Sequence, residues 1–519
     1  MADPFYITTA INYPNGRPHI GHAYEAIAAD AIARFHRLIG RDVRFQTGTD
    51  EHGLKMVQTA RDRGLEVRAL ADEMSSAFKV MADDLNISYD RFIRTTDADH
   101  YAASQAIWQA MAAAGDLYPA RYEGWYSVRD EAFYDEKELT QGEGGVKLSP
   151  QGTPVEWTAE ESWFFRLSKY QQPLLDHYAA NPDFIRPESR RNEILRFVEG
   201  GLSDLSVSRT SFDWGVPVPG APGHVMYVWV DALTNYLTGT GYPGWQGAER
   251  RFWPASLHLI GKDIVRFHSV YWPAFLMSAG LPLPRQIFGH GFVLARDGAK
   301  MSKSAGNVAD PMALAQRYGV DALRYFLLRD ISFGQDGSWS EEAIVTRANA
   351  DLANSFGNLA QRTLTQIFKN LGGALPAITG PSPADAALLD TVEATVRGSM
   401  KRAFEELALS QATEAWMQAV FACNAYIDEQ APWSLRKTDP ARMETVLATL
   451  YICIAQLAVA IAPVIPGSAA KLLDAMGVAP ALRSLEAIAG PWYSPLAESD
   501  FRLAQPVPLF PRLDLPAEA

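Results

Sequence analysis

Phe5-Tyr6-Ile7-Thr8-Thr9, followed by Asn12-Tyr13-Pro14-Asn15-Gly16 and then Pro18-His19-Ile20-Gly21-His22, is the stretch on which the fold turns. Its first five residues are β-branched and aromatic, as in a buried strand. Residues 12–16 are rich in turn formers, and Pro18 suits a first helical turn. Ile20, Tyr24, Ile27, Ala31 and Phe35 then recur at helical spacing. Val43-Arg44-Phe45-Gln46-Thr47 reads as the next strand, with Thr49-Asp50-Glu51-His52 at its carboxyl end. This order predicts an α/β fold with a Rossmann-like, doubly wound parallel sheet. Ligands of such sheets lie beyond the carboxyl ends of the strands.

His19 and His22 stand three apart, so their imidazoles share one helix face. Gly21 removes a side chain where a ligand needs the backbone, and a helix N-terminus attracts an anion. Two surface histidines at a helix start would give the same string. A second segment weighs against that reading. Lys300-Met301-Ser302-Lys303-Ser304, with Asp297-Gly298-Ala299 before and Ala305-Gly306-Asn307 behind, sets two lysines and two hydroxyls between glycines. In nucleotidyl transfer the protein mostly positions reactants and offsets growing charge. Lys300 and Lys303 would therefore hold a departing pyrophosphate better in the transition state than in the ground state.

The 519 residues predict several domains, and 48% hydrophobic with 21% charged residues is a globular balance. A net charge of −13 argues against unselective coating of nucleic acid, though not against a focused basic groove. Arg186, Arg190, Arg191 and Arg196 are candidates for such a groove, with a solvated helix face as the alternative. Cys423 and Cys453 sit in apolar helical runs, so neither a disulfide scaffold nor a cysteine metal site is expected. Met1-Ala2-Asp3-Pro4 shows no secretion signal, which leads to the expectation of a cytoplasmic protein. Residues 447–465 are apolar enough to span a bilayer. Interrupted by Gln456 and Pro463, they read instead as the central helix of a soluble bundle, and no membrane partner is expected.

Along the chain, residues 1–115 read as the first half of the catalytic sheet and 116–225 as an inserted domain of short aromatic strands. Residues 226–290 read as the second half, resuming with Met226-Tyr227-Val228-Trp229-Val230 as a strand and then Leu257-His258-Leu259-Ile260. Residues 291–345 carry the lysine loop and a stem-contact region, and 346–519 form a C-terminal α-helical bundle, with residues 372–383 as a loop between helices.

The histidine and lysine segments resemble the HIGH and KMSKS signatures of class I aminoacyl-tRNA synthetases. Ala10 to Gly16, Thr47-Gly48-Thr49-Asp50-Glu51-His52-Gly53, Tyr227-Val228-Trp229-Val230-Asp231-Ala232 and Gly261-Lys262-Asp263-Ile264-Val265-Arg266-Phe267-His268 narrow the resemblance to methionyl-tRNA synthetases. It implies methionine, ATP and tRNA(Met) as partners, Mg²⁺ accompanying ATP, and a ligase making methionyl-adenylate before charging the tRNA. It also implies that Ile11, Tyr13, Trp229, Ala232, Tyr236, Ile264 and His268 enclose the methionine side chain, while Asp50 holds its ammonium group. Pro14, Asn15, Gly16, His19, Gly21, His22, Gly261, Asp263, Lys300, Met301, Ser302, Lys303 and Ser304 are implied around ATP. Physics agrees: a polarizable thioether suits aromatic walls, and a carboxylate suits an ammonium group. Asn358 and Arg362, four apart on one helix, and Trp433 are implied at the anticodon, whose unpaired bases are read by stacking and polar edges.

Residues 116–225 are too few for the editing domain of the valine, isoleucine and leucine enzymes. Many methionyl enzymes carry a zinc knuckle there, yet the matching stretches read Trp125-Tyr126-Ser127-Val128-Arg129-Asp130-Glu131 and Leu148-Ser149-Pro150-Gln151. Without thiolates at those spacings no structural zinc is expected. Trp125, Phe133, Tyr134 and Trp163-Phe164-Phe165 are expected to pack in its place, as in the zinc-free form of some bacteria and mitochondria. A monomer is expected. The rival readings are a small-molecule nucleotidyltransferase sharing H-x-G-H, for which the helical third has no use, and a tRNA-binding protein that has lost catalysis.

Overall fold

The computed structural model describes residues 2–128, 132–296, 298–299, 301 and 308–515. Strand β1 (Pro4–Thr9) leads through a loop into helix α1 (Ile20–Leu38), and the chain returns as strand β2 (Asp42–Thr49), parallel to β1 with Ile7 opposite Phe45. Strand β3 (Arg91–Arg94) extends that side of the sheet. On the other side of β1 lie Leu257–Gly261, then Ile287–His290, then Ile185–Arg186, giving six parallel strands. This is the doubly wound arrangement expected from the sequence. Pro18 precedes the first helical turn rather than sitting in it, because His19 is the N-cap.

Two expectations need correction. The segment 226–230 is not a strand. Only Val225–Met226 is extended, and Val228–Thr238 is a helix. Its valines and tryptophan carry strand propensity, but every residue of that helix except Trp229 is buried, and packing overrides propensity. Ile185–Arg186, inside the segment assigned to the insertion, pairs with Ile287 and Phe288 as the edge strand of the catalytic sheet. The segment also carries a separate antiparallel sheet around strand β4 (Leu117–Ser127) and Glu156–Phe165, paired from Leu117–Phe165 to Tyr126–Glu156, and two helices, Gln171–Ala180 and Glu188–Glu199.

The C-terminal third is helical. Asn358–Leu371 ends on Gly372, which adopts φ 60° and so closes the helix in the left-handed conformation a glycine takes readily. Leu409–Gln430 packs beside Pro440–Ile461, the one helix among the described residues long and apolar enough to cross a membrane; it is buried inside the bundle. Cys423 and Cys453 are both buried there as free thiols.

A fully buried ion pair joins α1 to the helix Val320–Asp330 and, through backbone carbonyls, to the bundle. Arg324 donates to Asp30 of α1 at 2.6 Å and to the carbonyls of Pro463, Val464 and Leu85 at 3.0, 2.9 and 3.1 Å. Asp30 also accepts from Arg34 and from the Ser88 amide and hydroxyl. Every partner that burial demands is thus supplied.

Candidate functional site

The carboxyl ends of the parallel strands open into a cavity of about 500 Å³. Its floor near α1 is set by the two histidines. His19 caps the helix: its Nδ1 accepts the Gly21 amide at 3.1 Å, and the His22 Nδ1 accepts the His19 amide at 3.1 Å. The rings stack with centroids 3.7 Å apart. Because each Nδ1 accepts, a neutral ring keeps its proton on Nε2, the donor an anion requires. Gly21 serves a purpose beyond ligand approach, since a Cβ there would lie 3.0 Å from the His19 ring.

The opposite wall comes from the helix Val228–Thr238. Trp229, Ala232 and Tyr236 fall at helical spacing on its cavity face. The Trp229 ring stacks on Phe267 at 3.9 Å, and the Tyr236 hydroxyl meets His268 Nε2 at 2.7 Å. His268 Nδ1 lies 3.0 Å from the Ile264 carbonyl and must donate, so Nε2 accepts from the tyrosine. Burial lowers the His268 pKa to about 4, so the ring is neutral near pH 7. Ile11, Tyr13, Asp50 and Ile264 line the same cavity, as do Asn15, Gly16, Gly261 and Asp263. Pro14 does not. Met301 also lines it, whereas Lys300, Ser302, Lys303 and Ser304 lie outside the described residues.

Several residues at the site were not singled out from the sequence. Glu25, partly buried, and His290, buried, meet at 2.7 Å in the cavity wall, while His290 Nδ1 faces the Gly291 carbonyl. Burial pushes the Glu25 carboxyl up. The Glu25 hydrogen bond pushes the imidazole up against the opposing pull of burial. Glu25 was findable, being three residues beyond His22 and so on its face. Behind the aromatic wall, Asp231 bridges two imidazoles, His52 Nδ1 at 2.6 Å and His100 Nε2 at 2.7 Å. His52 in turn meets the Tyr101 hydroxyl at 3.0 Å. This network joins the helix bearing Trp229 to the strand end bearing Asp50.

The remaining candidates lie elsewhere. In the inserted sheet, Ser127 and Ser149 each meet the Thr153 hydroxyl, at 2.7 and 2.8 Å, all three buried. Buried hydroxyls thus meet at positions of the two stretches that the resemblance matched to the knuckle. Trp125 pairs with Trp157, Trp163 with Trp108, Phe164 with Tyr118 and Phe165 with Phe275, while Tyr134 is buried with Val155 and Phe267; the side chain of Phe133 lies outside the described ones. On the bundle, Arg362 meets Asp428 at 2.7 Å and lies 5.2 Å over the Trp433 ring, with Asn358 exposed one turn earlier.

The chain matches the family described as tRNA synthetases class I (M) over residues 5–364, and the anticodon binding domain of methionyl tRNA ligase over residues 375–487. It is 57% identical over 510 residues to the methionine–tRNA ligase of Brucella suis biovar 1, covering 98% of each chain. The chain belongs to the methionyl-tRNA synthetase family. It is a ligase that activates methionine with ATP and charges tRNA(Met). The Mycobacterium tuberculosis methionyl-tRNA synthetase bound by methionyl-adenylate superposes with a TM-score of 0.93 at 55% identity, over 98% of this chain and 100% of that one. The apo form of that enzyme gives 0.87 at 52% identity, over 99% of each. The shape is thus nearer the adenylate-bound relative.

The Asp231 network carries a pH signature. Burial alone would raise its pKa, but His52 and His100 outweigh it and bring the carboxyl from 3.8 to about 2. A carboxyl depressed in the folded state stabilises above its unfolded pKa and loses that contribution as pH falls through the folded value; here it is about 2 kcal/mol. Asp231→Asn is expected to lower the urea midpoint at pH 7, with the gap to wild type closing between about pH 4 and pH 2. A gap independent of pH would show that Asp231 is not ionised in the folded protein.

Proposed function

We propose that the cavity makes methionyl-adenylate with His19 and His22 donating to the ATP phosphates. Gly261 and Asp263 hold the adenosine, Asn15 and Gly16 lie along the nucleotide, and Lys300 and Lys303 offset charge on the departing pyrophosphate. The methionine thioether rests against Ile11, Tyr13, Trp229, Ala232, Tyr236, Ile264 and His268, with its ammonium group on Asp50. One observation carries this reading: both histidines, the aromatic wall and Met301 border one cavity. The methionine carboxylate attacks the α-phosphorus as the bond to pyrophosphate breaks. A ribose hydroxyl of the terminal tRNA adenosine then attacks the acyl carbon and AMP leaves. No protein nucleophile or base is needed for the first step, because the carboxylate is already ionised.

Mg²⁺ is proposed to arrive on the ATP phosphates, which suits a cation that keeps few protein ligands; among the described residues no cluster of three or more His, Cys, Asp or Glu could cage it. The insertion is proposed to do without zinc, supported by the hydroxyl packing of Ser127, Ser149 and Thr153. Residues 116–225, apart from the edge strand, are proposed to meet the tRNA acceptor end. The bundle from 346 onward is proposed to read the anticodon through Asn358, Arg362 and Trp433. The setting is proposed to be the cytoplasm.

Three measurements test these assignments. Lys303→Ala should slow methionine-dependent ATP–pyrophosphate exchange about 10²- to 10³-fold with little change in either substrate's KM. A change confined to KM would place the lysine in ground-state binding instead. Trp433→Ala should raise the tRNA KM sharply yet leave exchange nearly intact, and equal loss of both would refute the anticodon assignment. Elemental analysis of pure protein should find no stoichiometric zinc.

A further inference from the structure

The helix Leu409–Gln430 shows solvent a stripe of its surface on which Glu414, Phe421 and Asp428 recur every seventh residue. That spacing keeps the three on nearly one azimuth, with about 10 Å of helix between successive members. The two acids are already engaged from neighbouring helices: Arg329 pairs with Glu414, and Arg362 with Asp428 at 2.7 Å. Between these neutralised pairs Phe421 stands bare, 47% exposed, against 44% for Trp433. Beside it Ala422 and Ala425 are too small to cover the ring.

Among the described residues the large aromatics exposed to this degree are Trp157, Phe421 and Trp433. Two of the three fall within the segment matching the anticodon binding domain, and Arg362 ties them together, lying over Trp433 while bonded to the helix that carries Phe421. An aromatic face left open to water is a ready stacking surface for an unpaired base, a contact worth about 1–3 kcal/mol and tolerant of base identity.

We propose that Phe421 is a second stacking platform for the anticodon arm of the tRNA, holding an unpaired loop base beside the one placed on Trp433. This rests on the reading of Trp433 given above. Phe421 stands about 10 Å along its helix from Asp428, which Arg362 ties to the Trp433 ring, so both rings flank one ion pair and lie within reach of a single loop. Each of the two flanking acids is paired with an arginine, which lessens the repulsion a phosphate chain meets on this helix. It supplies affinity for the loop, whereas the edge-reading contacts supply the choice of anticodon.

The test uses the full chain as Phe421→Ala, Phe421→Trp and Phe421→Leu, with Trp433→Ala as reference, assayed for charging of tRNA(Met) and for pyrophosphate exchange. Phe421→Ala should raise the tRNA KM about 5- to 100-fold while exchange stays at the wild-type rate. Phe421→Trp should charge as well as wild type, and Phe421→Leu, apolar but without a π-face, should not. A wild-type tRNA KM for Phe421→Ala, alongside a raised one for Trp433→Ala, would overturn the platform and leave the anticodon reading standing. Wild-type values for both would remove the reading itself. Full function of the leucine variant would replace stacking with plain apolar contact. A change of mass in size-exclusion chromatography at constant tRNA KM would assign the face to a second copy of the chain.

Discussion

Strand β1 is held on both edges, by β2 on one side and by Leu257–Gly261 on the other, and the site exists because of that double pairing. The Thr8 hydroxyl meets His258 Nδ1 at 2.7 Å across the second junction, joining residues 250 apart in the chain. Six parallel strands in the order observed send their connections to opposite sides about β1, and the crevice this leaves lies beyond their carboxyl ends. Asp50, Gly261 and His290 all stand at those ends. Separating β1 from Leu257–Gly261 would part the two histidines from the aromatic wall of the cavity.

The cavity is shaped by buried polar contacts as much as by apolar packing. Asp231 between two imidazoles, Glu25 against His290, and the hydroxyl of Tyr236 on His268 each fix a side chain's tautomer or direction in a low-dielectric interior, where a missing partner is costly. The same physics operates farther out. Arg324 is wholly buried, and the carbonyls of Pro463 and Val464, at the end of the bundle's central helix, help solvate it while Asp30 of α1 takes its charge. The helix bearing His22 is therefore joined through Arg324 to the carbonyls that close the bundle's central helix.

Local pattern was enough to read β1, α1 and β2, because alternation and helical spacing there agree with burial. The histidine segment could be placed at a helix start from its proline and the spacing that follows, and the structure sets both rings on the cavity. The residues that the resemblance assigned to methionine do line one cavity, while their backbone was misread. Val228-Trp229-Val230 looks like strand, yet Trp229, Ala232 and Tyr236 share the cavity only because the segment coils. Glu25 was within reach of helical spacing. His290, His100 and Thr153 were not, since each gains its meaning from a partner far away in the chain.

What the sequence determined alone was the class of sheet, the order of its parts and the chemistry each motif offers, all of which follow from local sterics, hydrophobic period and side-chain type. The tertiary structure alone decided which groups touch: Asp231 with His52 and His100, Arg324 with Asp30, Ile185–Arg186 at the sheet edge, and Arg362 over Trp433. Contacts between distant residues depend on how all the layers close together, and burial, unlike spacing, is a property of the whole chain.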